Sequence, residues 1–396
     1  MNFNPYSITQ LPRIEFGEGS FSKLAPLAAV FGKNALVVTG SKSFKQSACW
    51  PLLREDLTKV GISWQEMIVS TEPSPQLVDQ TVDQFKKAKI DVVLGIGGGS
   101  VLDAAKAVAG LLRTGNSIMD YLEGVGPELP YVGPAVPFIA VPTTAGTGSE
   151  ATKNAVLSVQ GEKGFKKSFR HEILVPQYAI VDPDLLANCS SELIAANGMD
   201  AFTQLLESYV SIKANEFTDA LAFSGLRAVK EGLLAWYEDS EKARDGRNAM
   251  AYAALISGIT LAQAGLGSVH GLASPLGAFF PIPHGVVCGT LVAAATEVNI
   301  HAMQKREPQN ICLKKYAEVA ELLCDRKFSN EKHALDCLVQ LLYSWTERMK
   351  LSKLNKYGVT NKTFNKIITN SRGSSMKTNP IVLTDEEIGL ILEKRL

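Results

Sequence analysis

Three consecutive glycines, in Gly97-Gly98-Gly99-Ser100, sit directly between the β-branched run Asp91 to Ile96 (DVVLGI) and a helical pattern, Val101 to Leu111. That order of strand, glycine turn and helix restricts the chain more than any other feature. Glycine lets backbone N–H groups approach a phosphate without a Cβ in the way, and a helix N-terminus adds about half a positive charge, so the turn suits a pyrophosphate. The pattern G-x-G-x-x-G is absent, and a tight turn without ligand is the plain alternative.

The same rhythm recurs. Ala35 to Thr39 (ALVVT), Pro137 to Val141 (PFIAV) and Ala179 to Val181 (AIV) read as further buried strands between helical stretches, which implies a parallel sheet. Beyond Pro183, long patterns rich in Ala and Leu take over, as in Ala195 to Ser211 and Ala249 to Ala264, without a comparable strand signal. The expected fold is an α/β N-terminal domain with a parallel dinucleotide-binding sheet, residues 1–183, and an all-helical C-terminal domain, residues 184–396. The boundary falls at Asp182-Pro183-Asp184, where a proline follows a strand. At roughly 150 residues per domain, 396 residues accommodate both. Ser371 to Asn379 reads as a loop before a last helix that Thr384 caps and Asp385, Glu386 and Glu387 open.

Forty Lys plus Arg balance forty Asp plus Glu, which leaves no field to steer the chain onto nucleic acid or an anionic membrane. Met1 to Thr9 lacks the features of a secretory signal, and no stretch reaches the roughly eighteen uninterrupted apolar residues of a membrane span. A cytoplasmic protein with no nucleic-acid or membrane partner is expected. Cys49, Cys189, Cys288, Cys312, Cys324 and Cys337 stand singly, with no C-x-x-C pair, and read as reduced, mostly buried thiols.

Two further patterns carry chemistry. Pro142 to Glu150 (PTTAGTGSE) follows PFIAV and sets three threonines, a serine and two glycines at a strand's carboxyl end, where ligands bind in open α/β sheets. Asp200 and Gln204, four apart in a helical pattern, project from one face and can grip one ion. His270 and His284, fourteen apart in a stretch broken by glycine and proline, can be brought together.

The order GGGSVLDAAKAVA, then PTTAGTGSE some forty residues on, resembles the iron-containing, or group III, alcohol dehydrogenase family. The likeness runs from Ile14-Glu15-Phe16-Gly17 through Glu72-Pro73-Ser74-Pro75 to Asn379-Pro380. It implies a dehydroquinate synthase-like two-domain plan and a metal-dependent, NAD(P)-linked alcohol dehydrogenase or aldehyde reductase acting on a small or medium primary alcohol or its aldehyde. By resemblance, Gly97, Gly98, Gly99 and Ser100 hold the cofactor pyrophosphate and Asp103 lies near the nicotinamide. Thr143, Thr144 and Thr147 line the nucleotide, Lys166 reaches its ribose or phosphate, and Asn154, Leu261, Ser274 and Phe279 border the pocket. The family's metal ligands map onto Asp200, His270 and His284, and suit Fe(II) or Zn(II). Relatives suggest a homodimer.

Three departures stand out. Gln204 replaces a ligand histidine, and its amide oxygen is neutral and weaker than imidazole, which implies a weaker or shifted site. Ser274 replaces an additional non-ligand histidine found in many members, leaving Ser274, the nicotinamide ribose and water as the candidate proton relay. After the first strand, Gly40-Ser41-Lys42-Ser43 lacks the aspartate that NAD-preferring relatives often carry, so the cofactor is NADP or NAD, weighted toward NADP. The alternatives are a dehydroquinate synthase-like lyase or cyclase, against which the scarcity of basic residues near Asp200 and His270 speaks, and a nucleotide-binding relative that has lost catalysis.

Overall fold

The computed structural model describes residues 5–396. The chain divides into two compact units, one built from Thr9–Val159 and Lys166–Cys189, the other from Ser190–Leu396 together with Gln160–Phe165.

The first unit contains β1 (Arg13–Phe16), α1 (Leu24–Ala29), β2 (Asn34–Gly40), α2 (Cys49–Lys59), β3 (Ser63–Val69), α3 (Pro75–Phe85), β4 (Val92–Gly97), α4 (Gly99–Leu111), β5 (Phe138–Pro142), β6 (Asn154–Val159), β7 (Phe165–Arg170) and β8 (Tyr178–Val181). Six strands form one sheet in the order β1-β8-β5-β4-β2-β3, and every neighbouring pair is parallel. The parallel sheet follows from the sequence runs: Leu36, Val37 and Val38 of β2 and Val92, Val93 and Leu94 of β4 are sealed from water, so both faces are covered by helices or loops. The strands that the apolar runs do not announce are β1 and β3, at the two edges, where polar residues such as Gln65 and Glu66 remain exposed, and the separate two-stranded sheet of β6 and β7. At the expected break, Asp182 accepts from the backbone N–H of Asp184 at 3.0 Å and of Phe21 at 2.9 Å, so the carboxylate caps a short 3-10 turn, Pro183–Leu186.

Topology gathers the loops of interest. The chain leaves β2 for β3 on one side and recrosses to β4 on the other, which makes the β2/β4 junction a switch point. Thr39 is in register with Ile96, and Gly97 with Pro142. Residues 40–43, the triple glycine and the threonine loop therefore leave the same carboxyl edge side by side.

The second unit contains α5 (Ser191–Tyr209), α6 (Glu216–Tyr237), α7 (Ala243–Ala264), α8 (Ser268–Phe279), α9 (His284–Arg306), α10 (Ile311–Cys324), α11 (Glu331–Arg348), α12 (Phe364–Asn370) and α13 (Asp385–Glu393). No strand occurs in it among the described residues beyond Ser190. Thr384 accepts from the Glu387 N–H at 3.2 Å while the Glu387 carboxylate accepts from the Thr384 N–H at 2.8 Å, a reciprocal cap on α13. Helix α9 is long and apolar enough to cross a membrane, but 83% of its most apolar window is buried within the chain, the pattern of a core helix.

Helices α6 and α7 meet through glycines. A Cβ on Gly232 would stand 2.6 Å from the Gly246 carbonyl oxygen, and one on Gly246 would stand 2.7 Å from the Gly232 oxygen. Backbone cannot give way as a side-chain tip can. Gly232→Ala should therefore destabilise the fold by about 1–3 kcal/mol despite alanine's better helix propensity, read as a lower urea midpoint; an unchanged or higher midpoint would show that the two helices separate freely.

Candidate metal centre and nucleotide loop

Helix α5 presents one stripe toward the centre of the second unit: Asp200, Gln204 and Glu207, at i, i+4 and i+7. Glu207 does two things at once. One of its oxygens accepts from the Val269 N–H at 2.7 Å, and the other lies 2.7 Å from Nδ1 of His270. Asn379 accepts from the Ser268 N–H at 2.9 Å, so the first free N–H groups of α8 are satisfied by side chains distant in sequence. Nδ1 of His270 is engaged by Glu207 and Nε2 lies 3.2 Å from Asp200 Oδ1, so with the ring neutral and its proton on Nδ1 the Nε2 lone pair would face the same point as the carboxylate.

Helix α9 supplies the other side. His284 is its first residue, with Nε2 3.8 Å from Asp200 Oδ1, and Cys288 follows one turn later. The Cys288 Sγ stands 3.6 Å from Nε2 of His270 and 3.8 Å from Nε2 of His284. One ligating atom from each of Asp200, His270, His284 and Cys288 lies within 4.8 Å of all the others. A tetrahedral ion with metal–nitrogen bonds of about 2.0 Å and metal–sulfur bonds of about 2.3 Å needs edges of roughly 3.3–3.6 Å. Four of the six separations, 3.2 to 3.8 Å, match that frame within a few tenths of an ångström, and the other two stay within 4.8 Å. Among the described residues, Asp200 Oδ2 is buried without a hydrogen-bond partner, as a carboxylate awaiting an ion would be.

Electrostatics follows from this crowding. Burial works against ionising Asp200, yet the His284 charge and the His270 hydrogen bond outweigh it and hold the carboxyl at about 2. Burial likewise opposes protonated His270, but contacts with Cys288, Asp200 and Glu207 raise it well above the ordinary imidazole value. Burial, then the Asp200 charge, push the Cys288 thiol up to about 12.

Gln204 lies against the cluster but points its nitrogen at it. Nε2 donates to Asp200 Oδ1 at 3.4 Å, while Oε1 accepts from the Ser257 hydroxyl at 2.8 Å. In this orientation the amide offers the ligating atoms no lone pair. Sequence reasoning missed Cys288 and Glu207, although both carried a signal: His284 and Cys288 are spaced i, i+4 in HGVVC, and Glu207 continues the Asp200 stripe by one turn. Ser274 is half-buried one turn beyond His270, Leu261 is half-buried on α7, and Phe279 ends α8 with the Lys366 ammonium 4.1 Å from its ring centre.

In the first unit the glycines admit the threonine loop. A Cβ on Gly99 would stand 2.7 Å from the Thr147 methyl, and one on Gly98 would stand 3.2 Å from the Thr144 hydroxyl. Helix α4 starts at Gly99 with no side-chain cap, leaving its first N–H groups for another acceptor. Below the loop, Asp103 accepts from the Ser149 hydroxyl at 2.6 Å. The buried Lys106 ammonium donates to the Ser149 carbonyl at 2.8 Å, the Thr152 hydroxyl at 3.0 Å and the Asn154 carbonyl at 2.7 Å. Burial brings Lys106 down to about 8 and Glu150 up to about 7.

The remaining expected nucleotide residues lie in this unit too. Lys166 pairs with Glu72 at 2.8 Å, and the Asn154 side-chain oxygen accepts from Arg170 at 2.8 Å. Thr143 follows β5, while Ser41, Lys42 and Ser43 are exposed just after Gly40 at the end of β2. His171 accepts from the Ile173 N–H at 3.2 Å and stacks edge-on against Tyr131.

Comparison with known proteins agrees with this division. A family model for iron-containing alcohol dehydrogenase matches residues 12–183, and a second, for the C-terminal part of the Fe-containing alcohol dehydrogenase family, matches residues 194–396. Alcohol dehydrogenase 4 of Saccharomyces cerevisiae is 32% identical over 328 residues, 82% of this chain and 81% of that protein. The NADPH-dependent butanol dehydrogenase of Clostridium saccharobutylicum is 28% identical over 396 residues, 97% of this chain and 96% of that protein. A crystal structure of a 1,3-propanediol oxidoreductase superposes with a TM-score of 0.89 at 26% identity, covering 99% of this chain and all of that one.

Glu150 gives a testable pH dependence. Its folded value of about 7 lies above its ordinary 4.5, so the folded state binds the extra proton between those values and stability falls as pH rises through that window. Glu150→Gln removes this loss. The variant's stability relative to the parent should grow between pH 5 and pH 8, by at most about 3 kcal/mol, measured by urea unfolding at both values; a constant difference would mean that Glu150 titrates as an exposed acid.

Proposed function

The chain belongs to the iron-containing alcohol dehydrogenase family and is an NAD(P)-linked oxidoreductase; we propose that it interconverts a small or medium primary alcohol and its aldehyde at a metal held by Asp200, His270, His284 and Cys288. The observation that carries this reading is the spacing of those four ligating atoms, which fits one divalent ion of the Fe(II) or Zn(II) class. The thiol tilts the choice toward zinc.

A cation there supplies Lewis-acid polarisation of the alcohol or aldehyde oxygen, and the nicotinamide supplies the hydride acceptor or donor. The chain's own residues set up that chemistry. Glu207 fixes the tautomer and direction of His270, and Asp200 brings a full negative charge that a cation balances. Gly97 to Ser100, at the start of α4, offer N–H groups and a positive helix end to the pyrophosphate, with Thr144 and Thr147 packed beside them. Asp103 and Lys106 hold the threonine loop in place through Ser149, and Lys166 is positioned by Glu72 to reach the nucleotide. Ser274 carries the proton between substrate and water.

Lys42, exposed at the end of β2 where no carboxylate follows, supports NADP as the preferred cofactor. A lyase acting on phosphorylated, carboxylated substrates would need several lysines or arginines here; the groups that meet Asp200 and His270 are Gln204, Glu207, His284 and Cys288. The six free thiols support the cytoplasm as the place of action.

His284→Ala should lose bound metal and metal-dependent turnover while nucleotide affinity stays within about twofold; full activity in protein of measured metal content would remove the mechanism. Cobalt(II) bound to the parent protein should show a thiolate charge-transfer absorption in the near ultraviolet that Cys288→Ser lacks, with weaker metal retention on dialysis. An identical spectrum in both proteins would leave Cys288 outside the ligand set.

A further inference from the structure

Far from both regions in sequence, the end of α10 and the second turn of α11 bring Cys324 and Cys337 together. Their Sγ atoms stand 2.9 Å apart, closer than the roughly 3.5–4.0 Å of ordinary non-bonded heavy-atom contact. Of the other four thiols, Cys189 and Cys312 donate to the carbonyls of Thr143 and Val210, Cys288 faces the candidate metal cluster, and Cys49 bonds to Ser47 at the start of α2. Both members of the pair are only half-buried. Cys337 also lines a cleft of about 340 Å³, together with Arg326, Lys327, His333 and Asp336. Arg326 donates toward Cys337 Sγ at 3.4 Å and stacks on Phe328, which places a guanidinium beside that sulfur. Cys337 is the member of the pair that lines the cleft, so an incoming disulfide meets it first and Cys324 stands behind it.

We propose that Cys324 and Cys337 form a reversible dithiol–disulfide couple, with a small disulfide such as glutathione disulfide as the oxidant, admitted by the open cleft beside Arg326. Cys337 thiolate attacks one sulfur of the oxidant, whose S–S bond breaks and releases one thiolate. Cys324, deprotonated, then attacks Cys337 sulfur, forming the protein disulfide and releasing the second thiolate. Two protons leave the protein thiols and two electrons reside on the two small thiols produced, so the exchange balances.

Closing the bond ties α10 to α11. Further along α11, the Tyr343 hydroxyl donates to Glu297 at 2.7 Å and the Thr346 hydroxyl, bonded to the Leu342 carbonyl at 2.9 Å, lies 3.4 Å from the Gly289 carbonyl, so the tied helix leans on the one that bears His284 and Cys288. The couple would therefore stiffen the support of that helix without using any of the metal ligands.

The test uses the full-length, folded protein and excess glutathione disulfide. Thiols titrated after acid quench and unfolding should fall from six to four, a cross-linked peptide joining Cys324 and Cys337 should appear by mass spectrometry, the melting temperature of the treated protein should rise, and dithiothreitol should reverse all three. Cys337→Ser and Cys324→Ser, compared separately, should each abolish the cross-link; the first should also lose the reaction with glutathione, while the second should stop at a mixed disulfide on Cys337. Six persistent thiols in the parent protein, a stable mixed disulfide without closure, or thiol loss confined to other cysteines would each overturn the proposal.

Discussion

The metal cluster depends on one buried carboxylate, Glu207, that holds two points of a different helix. Its oxygens take the Val269 N–H and the His270 ring nitrogen, each at 2.7 Å, so the start of α8 and the tautomer of His270 are set together. A charge-assisted bond to an orphan N–H and one to an imidazole are each stronger than a neutral contact, and burial makes loss of either partner costly. Asn379 holds the adjacent N–H from the far end of the chain. The Asn379-Pro380 pair, seen in the sequence only as the end of a likeness, thus has a mechanical role: it fixes where the histidine helix begins.

The nucleotide side rests on register. Because β4 and β5 are parallel neighbours and Gly97 faces Pro142, two loops separated by some forty residues emerge together. Contact between them then depends on missing Cβ atoms, at Gly98 and Gly99, and on a buried amine. Lys106 sits on the helix that follows the glycines and takes the carbonyls and hydroxyls of the loop after β5. Desolvating that amine opposes its charge, and the nearby Asp103 and Glu150 compensate in part. A buried ammonium with several acceptors gives a directional tie, which a hydrophobic contact would not.

How much of this was legible follows from burial. Strands β2, β4, β5 and β8 declared themselves because a central parallel strand is covered on both faces and must be apolar throughout. Edge strands β1 and β3 are freed from that demand, and their mixed composition hid them. Asp200, His270 and His284 were visible through their resemblance to a known pattern, whereas Cys288 and Glu207 were visible only as helical spacings, a weak signal until α5, α8 and α9 are packed together. Cys324 and Cys337 show the same limit: thirteen apart and on different helices, they have no sequence spacing that marks a pair. Contacts that arise from helix packing leave little trace in one sequence.

The departure at Gln204 shows how a binding site can change its donors and keep its frame. A glutamine cannot be protonated, and it both donates and accepts. Here it donates to Asp200 and accepts from Ser257, so both ends of its amide are paired while Asp200 Oδ2 stays open. An imidazole at that position would have brought a ligating nitrogen from α5; the thiol of Cys288 brings a sulfur from α9 instead, within 3.8 Å of both histidine nitrogens. In the proposed site the number of groups converging on the centre would be preserved while their origin moves from one helix to another. A metal–sulfur bond is longer than a metal–nitrogen bond by only about 0.3 Å, so Cys288 could hold an ion within the same frame of side chains. Ligand softness is what changes most.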